Sequence, residues 1–237
     1  MQTLIVIPTY NERDNIERLV EAILALRPDV EVLIVDDGSP DGTGEIAEAL
    51  KERHSRVHVI HRPCKLGLGT AYLTGFKWAL ASGFDYVMTM DADFSHHPRH
   101  IPRFLAEAQT HDLVIGSRYI AGGGTLDCSL GRRLLSRAAN AFARVALGLK
   151  VKDCTGGFRC YRRRALESIG LDQIFSEGYS FLIEILYRCQ REGCSIVEVP
   201  IIFEDRKRGA SKISYKELLK AMYTVLRLLW ERAFPRR

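Results

Sequence analysis

The stretch Tyr86-Val87-Met88-Thr89-Met90-Asp91-Ala92-Asp93 decides the fold and locates a candidate site. Its apolar part predicts a buried strand, and two carboxylates separated by one residue follow directly. In an open α/β sheet, ligands bind at the carboxyl ends of the strands. Carboxylate oxygens at such an end suit Mg²⁺ or Mn²⁺ holding a diphosphate. The alternative interpretation is a solvated Asp-x-Asp loop, because the pattern is short.

Apolar strands alternate with helical patterns on both sides of this stretch. Strands are predicted at 3–7, 31–35, 57–60, 86–90 and 113–115, and helices at 15–26, 44–53, 70–81 and 98–108. This order predicts an α/β fold, a single domain with a central, mostly parallel sheet flanked by helices.

The pattern changes after Gly116. A glycine-rich loop at 122–124 leads to a basic helix predicted at 132–147. A further helix is predicted at 179–191, and a strand at 195–199. No internal repeat or low-complexity linker divides the chain.

A last helix is predicted from a Ser-x-x-Glu capping box at Ser214 and Glu217, and it ends near Ala233. We therefore expect a catalytic domain over 1–213, followed by an amphipathic basic helix and tail over 214–237.

Composition restricts the class of protein. The chain has 237 residues, 46% hydrophobic and 27% charged, as in ordinary globular domains. No apolar run reaches the length of about 18 residues that a membrane span needs, and the first residues do not resemble a signal peptide. The six cysteines form no Cys-x-x-Cys pair or zinc spacing, so reduced thiols in a cytoplasmic protein are expected.

The net charge of +5 is unevenly distributed along the chain. The segment 206–237 carries ten Lys and Arg against two Glu, which favours an anionic surface or substrate. No nucleic-acid-binding motif accompanies this charge, so nucleic acid is not expected as a partner.

Polar residues follow two other predicted strands at the same edge. Segment 8–12 offers the ring of Tyr10 and the carboxylate of Glu12, although a plain strand-to-helix turn is an alternative. Asp36 and Asp37 end the second strand, and one of them could accept hydrogen bonds from a nucleobase. Both segments favour a nucleoside pocket.

Several motifs resemble those of glycosyltransferase family 2 and, within it, the dolichyl-phosphate (polyprenyl-phosphate) mannose synthases. They are Pro8-Thr9-Tyr10-Asn11-Glu12, Asp36-Asp37-Gly38-Ser39, Gly67-Leu68-Gly69-Thr70-Ala71, Asp91-Ala92-Asp93-Phe94-Ser95-His96-His97-Pro98, Gly116-Ser117-Arg118-Tyr119, Arg132-Arg133-Leu134-Leu135-Ser136, Thr155-Gly156-Gly157-Phe158-Arg159 and Gly209-Ala210-Ser211-Lys212. The resemblance implies a GT-A fold, GDP-mannose as donor, dolichyl or polyprenyl phosphate as acceptor, and Mg²⁺ or Mn²⁺.

The resemblance also implies roles for individual residues. It places Pro8, Tyr10, Glu12, Val35, Asp37, Asp91, Ala92, Asp93, Arg118, Arg206 and Lys212 at the donor, and Arg118, Arg132 and Ser136 at the acceptor phosphate. Asp91 and Asp93 would be the metal ligands, and with Arg118 the catalytic residues. Ser95 stands where some relatives carry a glutamine as a third ligand. His96 and His97 are expected to be structural, because Mg²⁺ and Mn²⁺ prefer oxygen.

The reaction expected is a single in-line displacement with inversion. A lipid phosphate is a dianion at neutral pH, because its second pKa is about 6, so no strong general base is needed. The last helix carries an apolar face predicted at Leu218, Met222, Val225, Leu226, Leu229 and Ala233. This face would hold the protein at the cytoplasmic face of a membrane. Alternatively the helix packs on the core, and the protein is held at the membrane by its own lipid substrate or by a separate membrane subunit.

Three rival functions stay open on the sequence alone. A polyprenyl-phosphate glucosyl- or N-acetylhexosaminyl-transferase would use a UDP-sugar, and no residue separates guanine from uracil. A nucleotidyltransferase would carry a basic, glycine-rich loop after the first strand, where segment 8–12 stands instead. A non-catalytic membrane-surface binding module would not need the pair Asp91 and Asp93.

Overall fold

A seven-stranded sheet lies between two layers of helices in the computed structural model of the chain. The structure describes residues 2–27, 29–126, 130–204 and 215–234, without the side chains of residues 132 and 215–218. None of the helices in these ranges is long and apolar enough to cross a membrane.

Up to residue 117 the elements alternate along the chain as the sequence pattern predicts, whereas the short strands at 124–126, 159–162 and 202–204 and the short helix at 163–168 were not predicted. The strands are β1 (Thr3–Thr9), β2 (Val30–Asp36), β3 (Val57–His61), β4 (Tyr86–Thr89), β5 (Leu113–Ser117), β6 (Gly124–Leu126), β7 (Arg159–Arg162), β8 (Ile196–Pro200) and β9 (Ile202–Glu204). The helices are α1 (Ile16–Leu26), α2 (Thr43–Arg53), α3 (Leu68–Ala81), α4 (Ile101–Glu107), α5 (Leu130–Leu147), α6 (Arg163–Ser168), α7 (Ser180–Arg191) and α8 (Tyr215–Ala233).

The strand order in the large sheet is β3-β2-β1-β4-β7-β5-β8, and β6 pairs with β9 in a separate ribbon. The strands of the large sheet are parallel, except that β7 runs antiparallel between β4 and β5. An antiparallel strand starts where its parallel neighbours end. The segment that leads into β7 therefore lies at the carboxyl edge of the sheet.

Alternate strand residues enter two separate cores, as the two-residue period of a strand requires. Leu4 and Val6 face the layer of α3, α5, α7 and α8, whereas Ile5 and Ile7 face the layer of α1, α2 and α4. Helix α3 lies very close to β1, since a Cβ added to Gly75 would stand 2.4 Å from Cγ1 of Val6. The first turns of α3 lie at the sheet edge where β4 ends, since the hydroxyl of Tyr72 contacts Asp91.

The prediction of a mostly parallel sheet flanked by helices is confirmed. Segment 98–108 differs from the single helix expected there, because Pro98 begins a 3-10 turn and Pro102 lies in the first turn of the short α4 that follows. The predicted boundary between 213 and 214, with the capping box, lies outside the described residues. The division into 1–213 and 214–237 stays a prediction, and Val225 and Leu228 of α8 lie in the domain core.

Candidate active site at the carboxyl edge of the sheet

The carboxyl ends of β1, β2, β4 and β5 bring the predicted donor residues to one edge of the sheet. In chain order they are Pro8, Tyr10 and Glu12 with β1, Val35 and Asp37 with β2, Asp91, Ala92 and Asp93 after β4, and Arg118 after β5. Strand β1 pairs in parallel with both β2 and β4, so the carboxyl ends of these three strands are neighbours, as the sequence predicts. The predicted residues Arg206 and Lys212 and the side chain of Arg132 lie outside the described part.

Asp91 is oriented by two aromatic neighbours. The hydroxyl of Tyr72 on α3 donates to its Oδ1 at 3.3 Å, and Nδ1 of His96 accepts the backbone N–H of Asp91 at 3.0 Å. Burial, followed by the charge of Asp91, raises the pKa of Tyr72 well above its usual value. Tyr72 therefore stays a protonated donor that fixes one oxygen of the carboxylate.

His96 has the surroundings of a structural residue. Its side chain is buried, and its ring stacks on Phe158 with 5.0 Å between the centroids. Nδ1 of His97 accepts the backbone N–H of Arg99 and so begins the following turn. Both arrangements agree with the structural role expected for the two histidines.

Asp93 is tied to the turn after β4. The backbone N–H and the hydroxyl of Ser95 donate to its Oδ1, at 3.1 and 2.6 Å. Ser95, which stands where some relatives carry a third ligand, thus orients Asp93 in this chain.

The donor set of Asp91 and Asp93 fits a hard divalent cation. Both contribute carboxylate oxygens, which Mg²⁺ and Mn²⁺ prefer. Within the described ranges no group of three His, Cys, Asp or Glu side chains converges on one point. Two protein carboxylates leave positions for diphosphate oxygens and water, as is usual for Mg²⁺ at a nucleotide.

The two carboxylates that end β2 are engaged in shaping the nucleoside side of the site. Asp36 accepts from the hydroxyls of Thr9, at 2.9 Å, and Ser39, at 2.6 Å. Asp37 forms a buried ion pair with Arg62 and accepts the backbone N–H groups of residues 66 and 67. The role of Asp37 beside the base stays a prediction, and in the structure its carboxylate is bonded to Arg62 and to the loop at 66–67.

Tyr10 and Lys65 form the exposed wall of the same side. The ammonium of Lys65 stands 4.2 Å from the ring centroid of Tyr10, within the range of a cation–π contact. Glu12 is buried and accepts from the amide of Asn15 at 3.0 Å. Val35 is fully buried in β2 and pairs in register with Pro8 of β1.

Arg118 is clamped by Asp153. The guanidinium Nε and Nη2 donate to the two oxygens of Asp153, each at 2.8 Å, and its backbone N–H donates at 3.0 Å. Burial alone would raise the pKa of Asp153, but the charge and hydrogen bonds of Arg118 outweigh it and hold that pKa below its usual value. Arg118 is therefore a fixed cation at the end of β5.

Ser136, predicted at the acceptor phosphate, is linked to the end of β5. Its hydroxyl is 2.7 Å from the hydroxyl of Tyr119, the residue after Arg118. The structure thus joins α5 to the end of β5, and the assignment of Arg118 and Ser136 to the acceptor phosphate stays a prediction.

Sequence reasoning missed several residues of the site. They are Arg62, Lys65, Tyr72, Tyr119, Asn140 and Asp153. Tyr72 follows a motif already quoted, and helical spacing from Gly69 could have indicated it. Asp153 is separated from Arg118 by 34 intervening residues of sequence, and no local pattern links them.

Family comparison gives the site a context. The family model described as "Glycosyl transferase family 2" matches residues 4–170, which include both strand-end carboxylates and the Asp153 clamp. The chain belongs to glycosyl transferase family 2. It is a glycosyltransferase, as the resemblance implied.

Two curated family relatives cover nearly the whole chain. A polyprenol monophosphomannose synthase of Mycolicibacterium smegmatis is 46% identical over 226 residues, which are 94% of this chain and 85% of that protein. An undecaprenyl-phosphate mannosyltransferase of Micrococcus luteus is 43% identical over 227 residues, 96% of this chain and 93% of that protein.

Solved structures show the same fold. Glucosyl-3-phosphoglycerate synthase of Mycobacterium tuberculosis, in complex with Mn²⁺, UDP and its product, has a TM-score of 0.70 at 24% identity, covering 99% of this chain and 81% of that one. A mannosyltransferase of Pyrobaculum calidifontis, in complex with GDP-mannose and Mn²⁺, has a TM-score of 0.56 at 18% identity, covering 99% of this chain and 64% of that one. The predicted GT-A fold of this family 2 protein is confirmed.

Proposed function

We propose that this protein transfers mannose from GDP-mannose to a polyprenyl phosphate and forms a β-linked lipid product. The observation that carries the proposal is the position of Ser136. Its hydroxyl contacts Tyr119, the residue after Arg118. Its helix also exposes apolar side chains such as Leu134 and Val145, so a phosphate and a hydrocarbon chain could bind next to each other. The names of the two curated relatives support this acceptor and this sugar.

Catalysis would rest on stabilising the leaving diphosphate. Asp91 and Asp93 would hold the divalent cation, which when bound neutralises charge on the departing nucleoside diphosphate. Tyr72 and Ser95 orient these carboxylates before substrate arrives. The solved structures of the same fold that contain Mn²⁺ support a divalent metal, Mg²⁺ or Mn²⁺.

The acceptor needs positioning more than activation. A phosphate monoester is mostly a dianion at neutral pH because its second pKa is about 6. Arg118 would attract it, and the fixed guanidinium reduces the entropy lost in alignment. One in-line displacement on an α-linked donor inverts the anomeric carbon.

The donor base would lie against Tyr10, between Lys65 and the loop that Asp37 holds. A guanine offers a carbonyl oxygen to the ammonium of Lys65, but the O4 of uracil could take the same place. The donor is therefore supported by the relatives' mannose chemistry and by the GDP-mannose complex of one fold neighbour.

Helices α5 and α8 would form the surface that meets the bilayer. Opposite their core-facing residues both carry exposed apolar side chains, namely Leu130, Leu134, Leu135, Phe142 and Val145 on α5, and Leu219, Met222, Tyr223, Leu226 and Trp230 on α8. The two helices contact each other, and α5 has four arginines and no acidic residue. Apolar area beside cationic charge suits an anionic membrane surface.

This arrangement refines the prediction for the last helix. Met222 and Leu226 point outward as the membrane face requires, whereas Val225 is buried and Leu229 packs partly against the core. The side chain of Leu218 lies outside the described part. We infer peripheral attachment at the cytoplasmic face of a membrane, without nucleic acid as a partner and with or without a separate membrane subunit.

A donor panel tests the proposed reaction. Purified protein with Mn²⁺ and a short, water-dispersed polyprenyl phosphate is incubated with GDP-mannose, UDP-glucose or UDP-N-acetylglucosamine, and lipid-linked sugar is measured. We expect product from GDP-mannose. Product from a UDP-sugar alone would establish the rival donor, and no product from any donor would refute the transferase proposal.

Vesicle co-sedimentation tests the docking surface separately. We expect binding to phosphatidylglycerol vesicles but not to phosphatidylcholine vesicles, with release at 1 M salt, where the screening length is about 3 Å. Val145→Glu and Leu226→Glu should abolish binding yet keep activity on the short acceptor. Leu26→Glu, on an exposed leucine of α1, is the matched control.

Unchanged vesicle binding by both surface variants would contradict this docking surface. A dimer in solution that these variants dissociate would instead identify the surface as a contact between two copies of the chain.

A further inference from the structure

Buried polar groups connect the acceptor helix α5 to the Arg118 clamp through loop 153–157. Asp153 is fully buried and accepts four hydrogen bonds, three from Arg118 and one from the backbone N–H of Gly156 at 2.9 Å. Its own backbone N–H donates to Glu198 at 2.9 Å. The loop is thus fixed to β5 on one side and to β8 on the other.

Asn140 of α5 uses its whole side-chain amide to reach this loop and its own helix. The amide nitrogen donates to the carbonyl of Ser136 at 2.8 Å and to Oγ1 of Thr155 at 3.0 Å. The amide oxygen accepts the backbone N–H of Cys154 at 2.7 Å. Since Asn140 is nearly fully buried, water cannot replace these partners.

The hydroxyl of Thr155 is where the two sets of contacts meet. Its Oγ1 accepts from Nη2 of Arg118 at 3.0 Å as well as from Asn140. One oxygen atom therefore receives hydrogen bonds from the cation and from the helix that carries Ser136.

The loop cannot easily give way between these contacts. The buried guanidinium of Arg159 donates to the carbonyls of Cys154 and Gly156, both at 2.8 Å. Thr89, at the end of β4, donates to the carbonyl of Gly157 at 2.6 Å. A displacement of α5 would therefore act on Arg118 instead of being absorbed by the loop.

We propose that Asn140 and Thr155 are positioning residues that set the location of the acceptor-helix residue Ser136 relative to the Arg118 guanidinium. The inference rests on the proposed function, because it assigns both ends of the link to the acceptor phosphate. Two groups that bind one phosphate must keep a fixed separation, and small misplacements reduce rate strongly.

The first test is Thr155→Val, which removes the shared oxygen with little change of volume. We expect KM for polyprenyl phosphate to rise about fivefold, the size expected for one hydrogen bond of ordinary net strength. KM for GDP-mannose and the affinity for GDP with Mn²⁺ should stay within about twofold of wild type. Thr74→Val is the matched control, since that hydroxyl donates to a backbone carbonyl within α3.

The second test is a double-mutant cycle with Asn140→Ala and Ser136→Ala. If Asn140 acts through the position of Ser136, the rise in acceptor KM of the double variant is smaller than the product of the single rises. Rises that multiply would show independent roles and would overturn the proposal.

A merely structural role predicts a different result. Thr155→Val would then lower the melting temperature and leave both KM values unchanged, which would overturn the inference. Its failure is distinct from failure of the proposed function, because wild-type transfer from GDP-mannose to the lipid is measured in the same assay. Absence of that transfer would refute the function instead.

Discussion

Replacing Arg159 with methionine should destabilise the protein, because three carbonyl groups lose their hydrogen-bond donor. The guanidinium is fully buried in β7 and donates to the carbonyls of Cys154, Gly156 and Leu182, each at 2.8 Å. Methionine keeps most of the apolar stem and removes every donor. Each buried polar group left unpaired costs about 1–3 kcal/mol.

Removal of the buried positive charge offsets part of this loss of stability. Removing a buried cation recovers a desolvation penalty of several kcal/mol, and Asp153 keeps Arg118 as its ion-pair partner, so no charge is stranded. We expect the free energy of unfolding to fall by about 3 kcal/mol in Arg159→Met. Arg159→Lys, which can satisfy some of the carbonyls, should lose about half as much.

The assay is urea unfolding followed by far-UV circular dichroism, with Arg162→Met as the matched control. Arg162 lies in the same strand and also donates to backbone carbonyls, those of Ala108 and Gln109, but it is only partly buried. Water can replace its donors, so its loss should cost less than about 1 kcal/mol. Equal stability of Arg159→Met and wild type, or equal losses at the two positions, would refute the reasoning.

Three further predictions concern the carboxylates and Ser136. Asp93→Ala should abolish transfer at saturating Mn²⁺ while the circular dichroism spectrum stays native, and a wild-type rate would rule out metal coordination by Asp93. Ser136→Ala should raise KM for the lipid phosphate more than KM for GDP-mannose, and equal rises would point to a shared donor role. The third concerns Asp112. Burial alone would raise the pKa of this carboxyl, but the hydrogen bonds from Arg164 and Ser195 outweigh it and lower the pKa from 3.8 to about 2. A lowered pKa in the folded state means that this stabilisation is present above about pH 4 and is lost towards pH 2. Urea midpoints should fall over that range, and less steeply in Asp112→Asn.

The parallel part of the fold could be predicted because each of its strands has a recognisable local sequence pattern. Strands β1, β2 and β4 are continuous apolar runs, and each ends in polar residues that a stable core does not explain. Because the strands are parallel, their carboxyl ends lie at the same edge of the sheet. The placement of Asp91, Asp93 and the segment around Tyr10 at one sheet edge was therefore predictable from the strand pattern, and their roles stay predictions.

Strand β7 could not be predicted in the same way. Its sequence, Arg-Cys-Tyr-Arg, has a charged residue at each end, and a charge within a strand usually indicates a solvent-exposed face. Arg159 is instead buried, because two carbonyl groups of the preceding loop, those of Cys154 and Gly156, and one of α7, that of Leu182, accept its hydrogen bonds. These hydrogen bonds depend on the folded chain, so they leave no periodic pattern in the sequence.

The function expected of Asp37 shows a second limit. Two adjacent carboxylates at a strand end indicate polar chemistry, but not whether their partners are ligands or residues of the chain. Arg62 lies 25 positions later and pairs with Asp37 in the structure. The pattern predicted the site, and only the fold shows which carboxylates are already engaged.

The antiparallel direction of β7 explains why the site combines groups of opposite charge. A parallel strand inserted between β4 and β5 would begin at the amino edge, and its preceding loop would lie far from Asp91. Because β7 runs the other way, Arg159 pairs in register with Thr89 and Ile115, and loop 153–157 lies between the carboxylates after β4 and the cation after β5. That loop supplies Asp153, which fixes the cation, and Gly157, where an added Cβ would stand 3.8 Å from Oδ1 of Asp91. One reversed strand thus places the group that fixes Arg118 beside Asp91, one of the two carboxylates proposed to hold the metal.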